Sequence, residues 1–410
     1  FKHRLLEGNS WPTCLDTNRV FFLLSPLQFY TFEVLKNHPV STDFLGHGGK
    51  DLVTVLANVI RTSGGFRRGP PSRRFCVEDY VCWTLCWAND ISFASIARGL
   101  GGSIRDVQVR KRVCRVLEIL RNELHAKHIR LPSLEEWRAA TPPGLKNLKL
   151  FSGDTVPERL YLFVDGTSLP LYESKGFDVK SAQHVSHKKH YAYRWFAVVT
   201  PDGRPVYVSD LFTGAAKDSK IWDNSDAIAS LTRVYDDLRA QYPTMELCIS
   251  GDKGYPTIDV PPGWKLVVTK SAEYDGGKSR HETDARSSYL IYSTQIAVYR
   301  SVVERFFALM KRWRRLAVGH AYSNQGETLL YPLVILRAVV VCWLLDVNRE
   351  RLRSFSATKR GTTVSSAAPP LPTIAPTPTA VSATLDVDDD EFLEDDVPGT
   401  VSDEVEDENM

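Results

Sequence analysis

The segment YLFVDGT, residues 161–167, is the most informative stretch of this 410-residue chain. An apolar run leads directly into Asp165, which predicts a buried strand, Arg159 to Val164, that ends at the carboxylate. A second segment, LCISGDKGY (residues 247–255), places Asp252 after another short apolar run. Carboxylates at the ends of buried strands are hard to explain by packing, but they are good ligands for hard divalent cations. The two segments therefore predict a metal-dependent site at one edge of a sheet.

The elements around these segments predict a mixed α/β architecture. A three-stranded meander, a helix and a strand parallel to the first form an RNase H-like core, in which the first strand and the strand after the helix are neighbours. Glu304 lies in a later helical segment, RSVVERFF (residues 300–307), expected to pack against the same edge. The predicted elements after the first strand are strands His190 to Thr200 and Pro205 to Phe212, helix Asp218 to Gln241, strands Met245 to Ser250 and Trp264 to Thr269, and helices Gln295 to Leu316 and Leu329 to Leu345.

Asp165, Asp252 and Glu304 are the predicted catalytic and metal-binding residues. Two Mg²⁺ ions about 4 Å apart activate the attacking oxygen and stabilise the leaving oxygen during in-line attack on phosphorus. Each residue also has a structural explanation: both Asp residues precede or lie near Gly and could form turns, and Glu304 could pair with Arg300 one helical turn earlier. Their joint occurrence at these topological positions favours catalysis.

The charge distribution favours a polyanionic partner. The net charge is +2, but residues 386–410 contain 13 of the 49 acidic residues and no Lys or Arg. The rest of the chain therefore has 36 acidic against 51 basic residues, a surplus of about +15. Residues 354–410 are predicted to form a disordered tail, rich first in Ser, Thr and Pro and then in acidic residues. The acidic part could fold back on the basic body.

Residues 75–140 predict a helical, helix-turn-helix-like DNA-binding domain, and an ordinary helical bundle with a solvated basic face fits equally well. Helices are expected from Glu78 to Ala88, from Ile91 to Leu100, and from an N-cap at Ser103 to about Lys127. The candidate DNA-binding residues here are Arg105, Arg110, Lys111 and Arg112. Further candidates are His187, Lys188 and Lys189, which could equally form an exposed basic turn, and Arg312 and Arg314, which could also belong to a nuclear localisation signal or a solvated face.

Two other classes of protein are disfavoured. The apolar segment Tyr331 to Val347 contains Pro332 and Arg337 and is short for a membrane span, so we interpret it as a core helix. The seven cysteines form no CxxC pair, which favours reduced core thiols over a zinc site. The predicted domains are 1–74 (N-terminal region and linker), 75–140 (helical), 155–350 (catalytic) and 354–410 (tail).

Five short motifs in order resemble the DDE transposase domain of the PIF/Harbinger superfamily. They are VDGT (164–167), SHKKH (186–190), KDS (217–219), GDKGYP (251–256) and RSVVERFF (300–307). The resemblance covers about 160 residues closely. It implies that Asp165, Asp252 and Glu304 form the catalytic triad with Mg²⁺, or Mn²⁺ as a substitute. Asp218 matches the acidic residue of a His-Asp-Ser motif, with Lys217 in place of His, and is predicted to be an accessory group or a helix cap.

The resemblance also implies a biological setting. The substrates would be double-stranded DNA at terminal inverted repeats and at a target site, cut by hydrolysis and then joined through the freed 3′-hydroxyl. A Myb/SANT-like DNA-binding partner, a homo-oligomer and a nuclear location are further expectations. The alternatives are a host-recruited nuclease or DNA-binding factor, and a non-catalytic interaction scaffold with the acidic tail as its binding arm.

Overall fold

The computed structural model places a mixed sheet between two sets of helices. The described residues are 49–64, 66, 75–101, 104–146, 148, 158–172, 181–185, 190–252, 255, 259–268, 296–317 and 326–359. The predicted disordered tail therefore lies outside them except for residues 354–359, which are helical. Most of the predicted N-terminal region and linker, residues 1–74, and all of residues 269–295 also lie outside the described residues.

The sheet has the strand order and directions that the sequence predicts. Strand β1 pairs in parallel with β6 on one side and antiparallel with β3 on the other. The order across the sheet is β2-β3-β1-β6-β7, and both β4 and β5 also pair with β3. The strands are β1 (Arg159–Pro170), β2 (His184–Val185), β3 (His190–Val199), β4 (Pro205–Val208), β5 (Phe212–Thr213), β6 (Glu246–Gly251) and β7 (Trp264–Val268).

The two faces of the sheet are covered by different helices. Alternate residues of β1, β3 and β6, such as Leu162, Phe196 and Ile249, belong to a core cluster that also contains Trp137 and Trp222. These tryptophans come from helices α5 (Leu134–Ala140) and α7 (Asp218–Asp223), and α8 (Ala227–Gln241) also packs on this face. On the opposite face, the Trp195 ring of β3 meets Phe307 edge-to-face at 5.2 Å. Helix α9 (296–310) therefore covers the face that bears Asp165.

Four helices before the sheet pack around a buried apolar centre. They are α1 (Gly49–Thr62), α2 (Val77–Ala88), α3 (Phe93–Gly99) and α4 (Asp106–His128), and a short α6 (Pro143–Lys146) follows α5. Val113, Leu117 and Trp83 are fully buried in this bundle. The helical character of residues 75–131 is thus confirmed, and α1 is a helix that the sequence did not predict.

Several predicted boundaries are wrong. The predicted strand Pro205 to Phe212 is two short strands, β4 and β5. Helix α4 begins three residues after Ser103, where the Gln108 side chain accepts a hydrogen bond from the Arg105 backbone N–H. The predicted helix Asp218 to Gln241 is two helices, because the Asn224 and Ser225 side chains donate to carbonyl oxygens of α7. The predicted helix Gln295 to Leu316 ends at residue 310, and the short α10 (Arg314–Ala317) follows a turn.

The last helix, α11 (Tyr331–Lys359), follows a π-helical turn, Gly326–Leu330, and packs along α4. The stretch Thr328–Arg349 is long and apolar enough to cross a membrane, but 78% of its most apolar window is buried inside the protein. Arg337 lies within this stretch and is fully buried, and it donates two hydrogen bonds to the carbonyl of Leu309 near the end of α9. This burial is what the core-helix interpretation predicts.

Candidate active site

Asp165 and Asp252 follow the paired part of two neighbouring parallel strands. The β1–β6 register pairs Arg159 with Glu246 and Phe163 with Ser250, a constant offset of 87 positions. Asp252 comes directly after the last residue of β6, Gly251. If the register is continued by two residues, Asp252 stands opposite Asp165, and strand alternation assigns both side chains to the sheet face that α9 covers. Asp165 does not end its strand as predicted, since β1 continues to Pro170 by pairing with β3.

The Asp165 carboxylate is poorly solvated and has acidic neighbours. Its side chain is 21% exposed and accepts a 2.8 Å hydrogen bond from the Gly166 backbone N–H. Burial raises its pKa to about 6, and the negative charges of Asp252 and Asp218 act in the same direction. The Gly166 N–H and the Arg300 guanidinium oppose that rise in pKa. A carboxylate in these surroundings is stabilised by a nearby cation.

Arg300 on α9 bridges Asp165 and Glu304. Its Nη1 lies 3.2 Å from Asp165 Oδ2, and its Nη2 lies 3.4 Å from Glu304 Oε1. The predicted pairing of Glu304 with Arg300 one turn earlier is therefore present. Glu304 itself is 60% exposed, so it can reorient at little cost. The bridge links Glu304 to Asp165 through a guanidinium and not by direct contact between the carboxylates.

Asp218 lies near Gly166 of β1, on the sheet face opposite to the one that bears Asp165. A Cβ placed on Gly166 would lie 2.6 Å from Asp218 Oδ1, so the absent side chain makes room for this carboxylate. Arg194 of β3 forms an ion pair with Asp218 and donates a 2.6 Å hydrogen bond to the Ala216 carbonyl. Asp218 is the first residue of α7, as the predicted helix start has it, but the N-cap is Lys217, so Asp218 is not the helix cap that was one of its two predicted roles. Asp218 approaches Gly166 from the α7 face, opposite to the face that bears Asp165.

Tyr255 is a buried polar residue that the sequence analysis quoted in a motif without giving it a role. Its ring packs against Gly251, where an added Cβ would lie 3.1–3.2 Å from Tyr255 atoms. Its hydroxyl would lie 3.3 Å from a Cβ at Gly166, and it has no hydrogen-bond partner among the described residues. Burial raises the pKa of this phenol, and the charges of Asp218, Asp165 and Asp252 raise it further. Gly166 and Gly251, which lie beside Asp165 and Asp252 in the two motifs, were the sequence signal that another group packs closely against the backbone there.

The chemical type of the candidate ligands suits a hard divalent cation. Asp165, Asp252 and Glu304 offer only oxygen ligands, which Mg²⁺ and Mn²⁺ prefer. The positive charge of Arg300 between two of them shows that this position stabilises a cation. Among the described residues, however, no group of three or more His, Cys, Asp or Glu side chains is arranged to hold a metal ion. For these three carboxylates to form one ligand set, Glu304 would have to separate from Arg300.

The predicted DNA-binding residues fall into different environments. Arg105 is exposed at the N-cap of α4, and Arg110 and Lys111 are exposed on the first part of the helix. The Arg112 guanidinium lies over the rings of Tyr80 and Phe66, at 5.5 and 6.0 Å from their centroids. Arg312 and Arg314 are exposed after α9, and His187, Lys188 and Lys189 lie outside the described residues.

Arg315 directly follows the candidate residue Arg314 in the sequence, but its environment is different. The side chain is buried and pairs with Asp90 at 3.1 Å. Its guanidinium also stacks on Trp87 and donates to the Trp87 carbonyl. Arg315 therefore connects α10 to the end of α2 and is not available to a phosphate.

Comparison with known families points to the same segment of the chain. Residues 164–345 match a family described as DDE superfamily endonuclease. The match covers less than half of the chain, and it begins within β1 and ends within α11. It includes Asp165, Asp252 and Glu304, together with Arg194, Asp218, Tyr255 and Arg300. No curated protein and no solved structure matches the chain. The mixed sheet and its flanking helices are consistent with a DDE nuclease domain, and the match suggests nuclease or transposase activity.

Proposed function

We propose that this protein is a metal-dependent DNA nuclease of the DDE type that acts as a PIF/Harbinger-like transposase. The observation that carries the proposal is the β1–β6 register, because its continuation by two residues would bring Asp165 and Asp252 opposite each other. Arg300, which contacts both Asp165 and Glu304, supports the inclusion of Glu304. The proposed reaction is hydrolysis of phosphodiester bonds at transposon ends, followed by transfer of the 3′-hydroxyl to target DNA.

Asp165, Asp252 and Glu304 would hold the divalent cations. When bound, such ions supply activation of the attacking oxygen and stabilisation of the leaving oxygen. The protein's own part is to fix the carboxylates: the Gly166 N–H orients one oxygen of Asp165. The Arg194–Asp218 pair forms the opposite wall of the same edge. The buried Tyr255 ring closes the space beneath Gly251 and excludes water there.

DNA would be held by positive charge outside the site. The exposed residues Arg105, Arg110 and Lys111 on α4 form the first contact surface that we propose, and Arg312 and Arg314 form a second one beyond the catalytic helix. A Myb/SANT-like partner, homo-oligomerisation and a nuclear location belong to the same proposal. They rest on the resemblance and on the basic charge of the body.

The direct test is nicking of supercoiled plasmid in Mg²⁺ or Mn²⁺. Wild-type protein should convert the plasmid to the open-circular form, and Asp165→Asn and Asp252→Asn should each lose at least about a hundredfold in rate. Asp237→Asn, an exposed acid on α8, is the matched control and should cleave like wild type. Equal cleavage by all four proteins would refute the assignment of the site.

A second candidate is a DNA-binding factor without cleavage, favoured by the exposed basic part of α4. It predicts DNA binding that is insensitive to Asp165→Asn and no nicking by any variant in either metal.

A further inference from the structure

Arg300 sits where a cation bridges two of the candidate ligands. One guanidinium nitrogen contacts Asp165 and another contacts Glu304, while Nε is buried and has no hydrogen-bond partner among the described residues. The side chain is 20% exposed, so solvent screens this charge only in part. Arg300 thus satisfies the negative charge of Asp165 from the same side that a metal ion would use.

The Arg300 contacts are longer than those of the structural ion pairs nearby. At 3.2 and 3.4 Å, both exceed the 2.7–2.9 Å usual for a guanidinium–carboxylate hydrogen bond. Arg159 and Glu246, which join β1 to β6 at the far end of the same strands, are 2.7 Å apart. Arg194 holds Asp218 in an ion pair and the Ala216 carbonyl at 2.6 Å. Arg300 therefore offsets the negative charge of Asp165 and Glu304 through hydrogen bonds that are longer, and so weaker, than those of these structural pairs.

Electrostatic repulsion opposes the presence of the Arg300 guanidinium and a divalent cation at the same carboxylates. Two positive charges within a few ångströms of each other repel, and in a partly buried site that repulsion is only moderately screened. Both would draw on the negative charge of the same two carboxylates, those of Asp165 and Glu304. Because Glu304 is exposed and Arg300 is loosely held, a cation can enter by separating them.

We propose that Arg300 is a built-in, displaceable counter-ion that competes with divalent cations for Asp165 and Glu304. The inference rests on the proposed function in taking these carboxylates as metal ligands. It predicts that the resting protein binds metal weakly, since each ion must displace an internal positive charge. Arg300 is thus a positioning residue that sets the metal affinity of the site.

The test is direct Mn²⁺ binding to the full-length chain without DNA, measured by the loss of the electron paramagnetic resonance signal of free Mn²⁺. Arg300→Gln should bind Mn²⁺ roughly tenfold more tightly than wild type or better, because a full positive charge has been removed from the site. Arg300→Lys should also gain affinity, by a smaller factor, since it keeps the charge but cannot bridge two carboxylates. Arg305→Gln is the matched control: Arg305 is exposed on the same helix, and its removal should change affinity by less than about twofold.

The outcomes separate this inference from the proposed function. If Asp252→Asn abolishes Mn²⁺ binding but Arg300→Gln binds no better than wild type, the inference is overturned and the metal site stands. If Arg305→Gln gains as much as Arg300→Gln, the effect is a general charge effect and the inference is also overturned. If no protein binds Mn²⁺, both the inference and the proposed metal dependence fail. A gain in Arg300→Gln that is cancelled by adding Asp252→Asn supports both.

Discussion

Replacing Gly166 by alanine tests the packing of the candidate site with a single methyl group. The backbone of Gly166 does not require a positive φ, so an alanine there is conformationally allowed. On backbone grounds alone the substitution should stabilise the protein by about 0.4–1 kcal/mol. The new Cβ would lie 2.6 Å from Asp218 Oδ1 and 3.3 Å from the Tyr255 hydroxyl, however, and the first distance is shorter than a stable contact.

The magnitude depends on whether these neighbours can give way. Asp218 is held by Arg194, and the Tyr255 side chain is fully buried, so neither is the free end of a flexible side chain. Overpacking of this kind costs about 1–3 kcal/mol. Subtracting the backbone gain leaves a net loss for Gly166→Ala of about 1.3 kcal/mol at the middle of both ranges, and of at most about 2.6 kcal/mol, opposite in sign to the backbone effect.

The assay is urea denaturation of wild type, Gly166→Ala, Asp218→Ala and the double variant. The clash predicts that Gly166→Ala destabilises the wild-type protein by more than it destabilises Asp218→Ala, with a coupling free energy of about 1 kcal/mol. Gly166→Ala at least as stable as wild type, or an equal cost in both backgrounds, would refute the reasoning.

Three further predictions concern charge. In metal-free buffer, the pKa of Asp165 is raised to about 6, so the contribution of this carboxyl group to stability is fully present below about pH 4 and is lost as the pH rises through 6. The stability of Asp165→Asn relative to wild type should therefore increase by about 1–3 kcal/mol from pH 4 to pH 7. Urea titrations at both pH values check this, and a difference that does not change with pH contradicts it. Lys111→Ala should weaken DNA binding and reduce the slope of log affinity against log salt by about 0.9, with thermal stability unchanged. Arg112→Ala, which loses the contact with Tyr80, should also lower thermal stability. The same DNA affinity and the same thermal stability in both variants would contradict this difference between Lys111 and Arg112. Deleting residues 386–410 should raise DNA affinity and steepen its salt dependence if the 13 acids fold back on the basic body, and unchanged values for both quantities exclude that contact.

The sequence by itself determined the order of the sheet and the identity of the candidate carboxylates. Apolar runs ending at Asp165 and Asp252 are local signals, and alternation along a strand assigns each residue to a face. The separation of 87 residues was consistent with two strands, turns and a helix. The structure gives the same number, 87, as the register offset of β1 and β6, and continuing that register by two residues would bring the two acids opposite each other.

Some element boundaries could not be predicted, because they depend on partners elsewhere in the chain. Strand β1 continues beyond Asp165 only because β3 supplies antiparallel partners as far as Pro170. The apolar pattern after residue 226 resembles a continuation of α7, and side-chain hydrogen bonds from Asn224 and Ser225 end that helix instead. The local sequence pattern predicts the presence of a helix or strand more reliably than its last residue. Tertiary contacts and competing side-chain hydrogen bonds decide where the element ends.

The environment of the site was decided by tertiary structure alone. Arg300 and Asp165 are 135 positions apart, so nothing local indicates that the guanidinium joins Asp165 to Glu304. Arg315 has the same charge as its neighbours in sequence, and only the packing of α10 against α2 buries it on Trp87. Sequence determines which groups are available, while their burial and their partners follow from which surfaces the fold brings together. That is why the triad candidates were visible in the sequence, and the counter-ion that holds two of them was not recognised until the chain was folded.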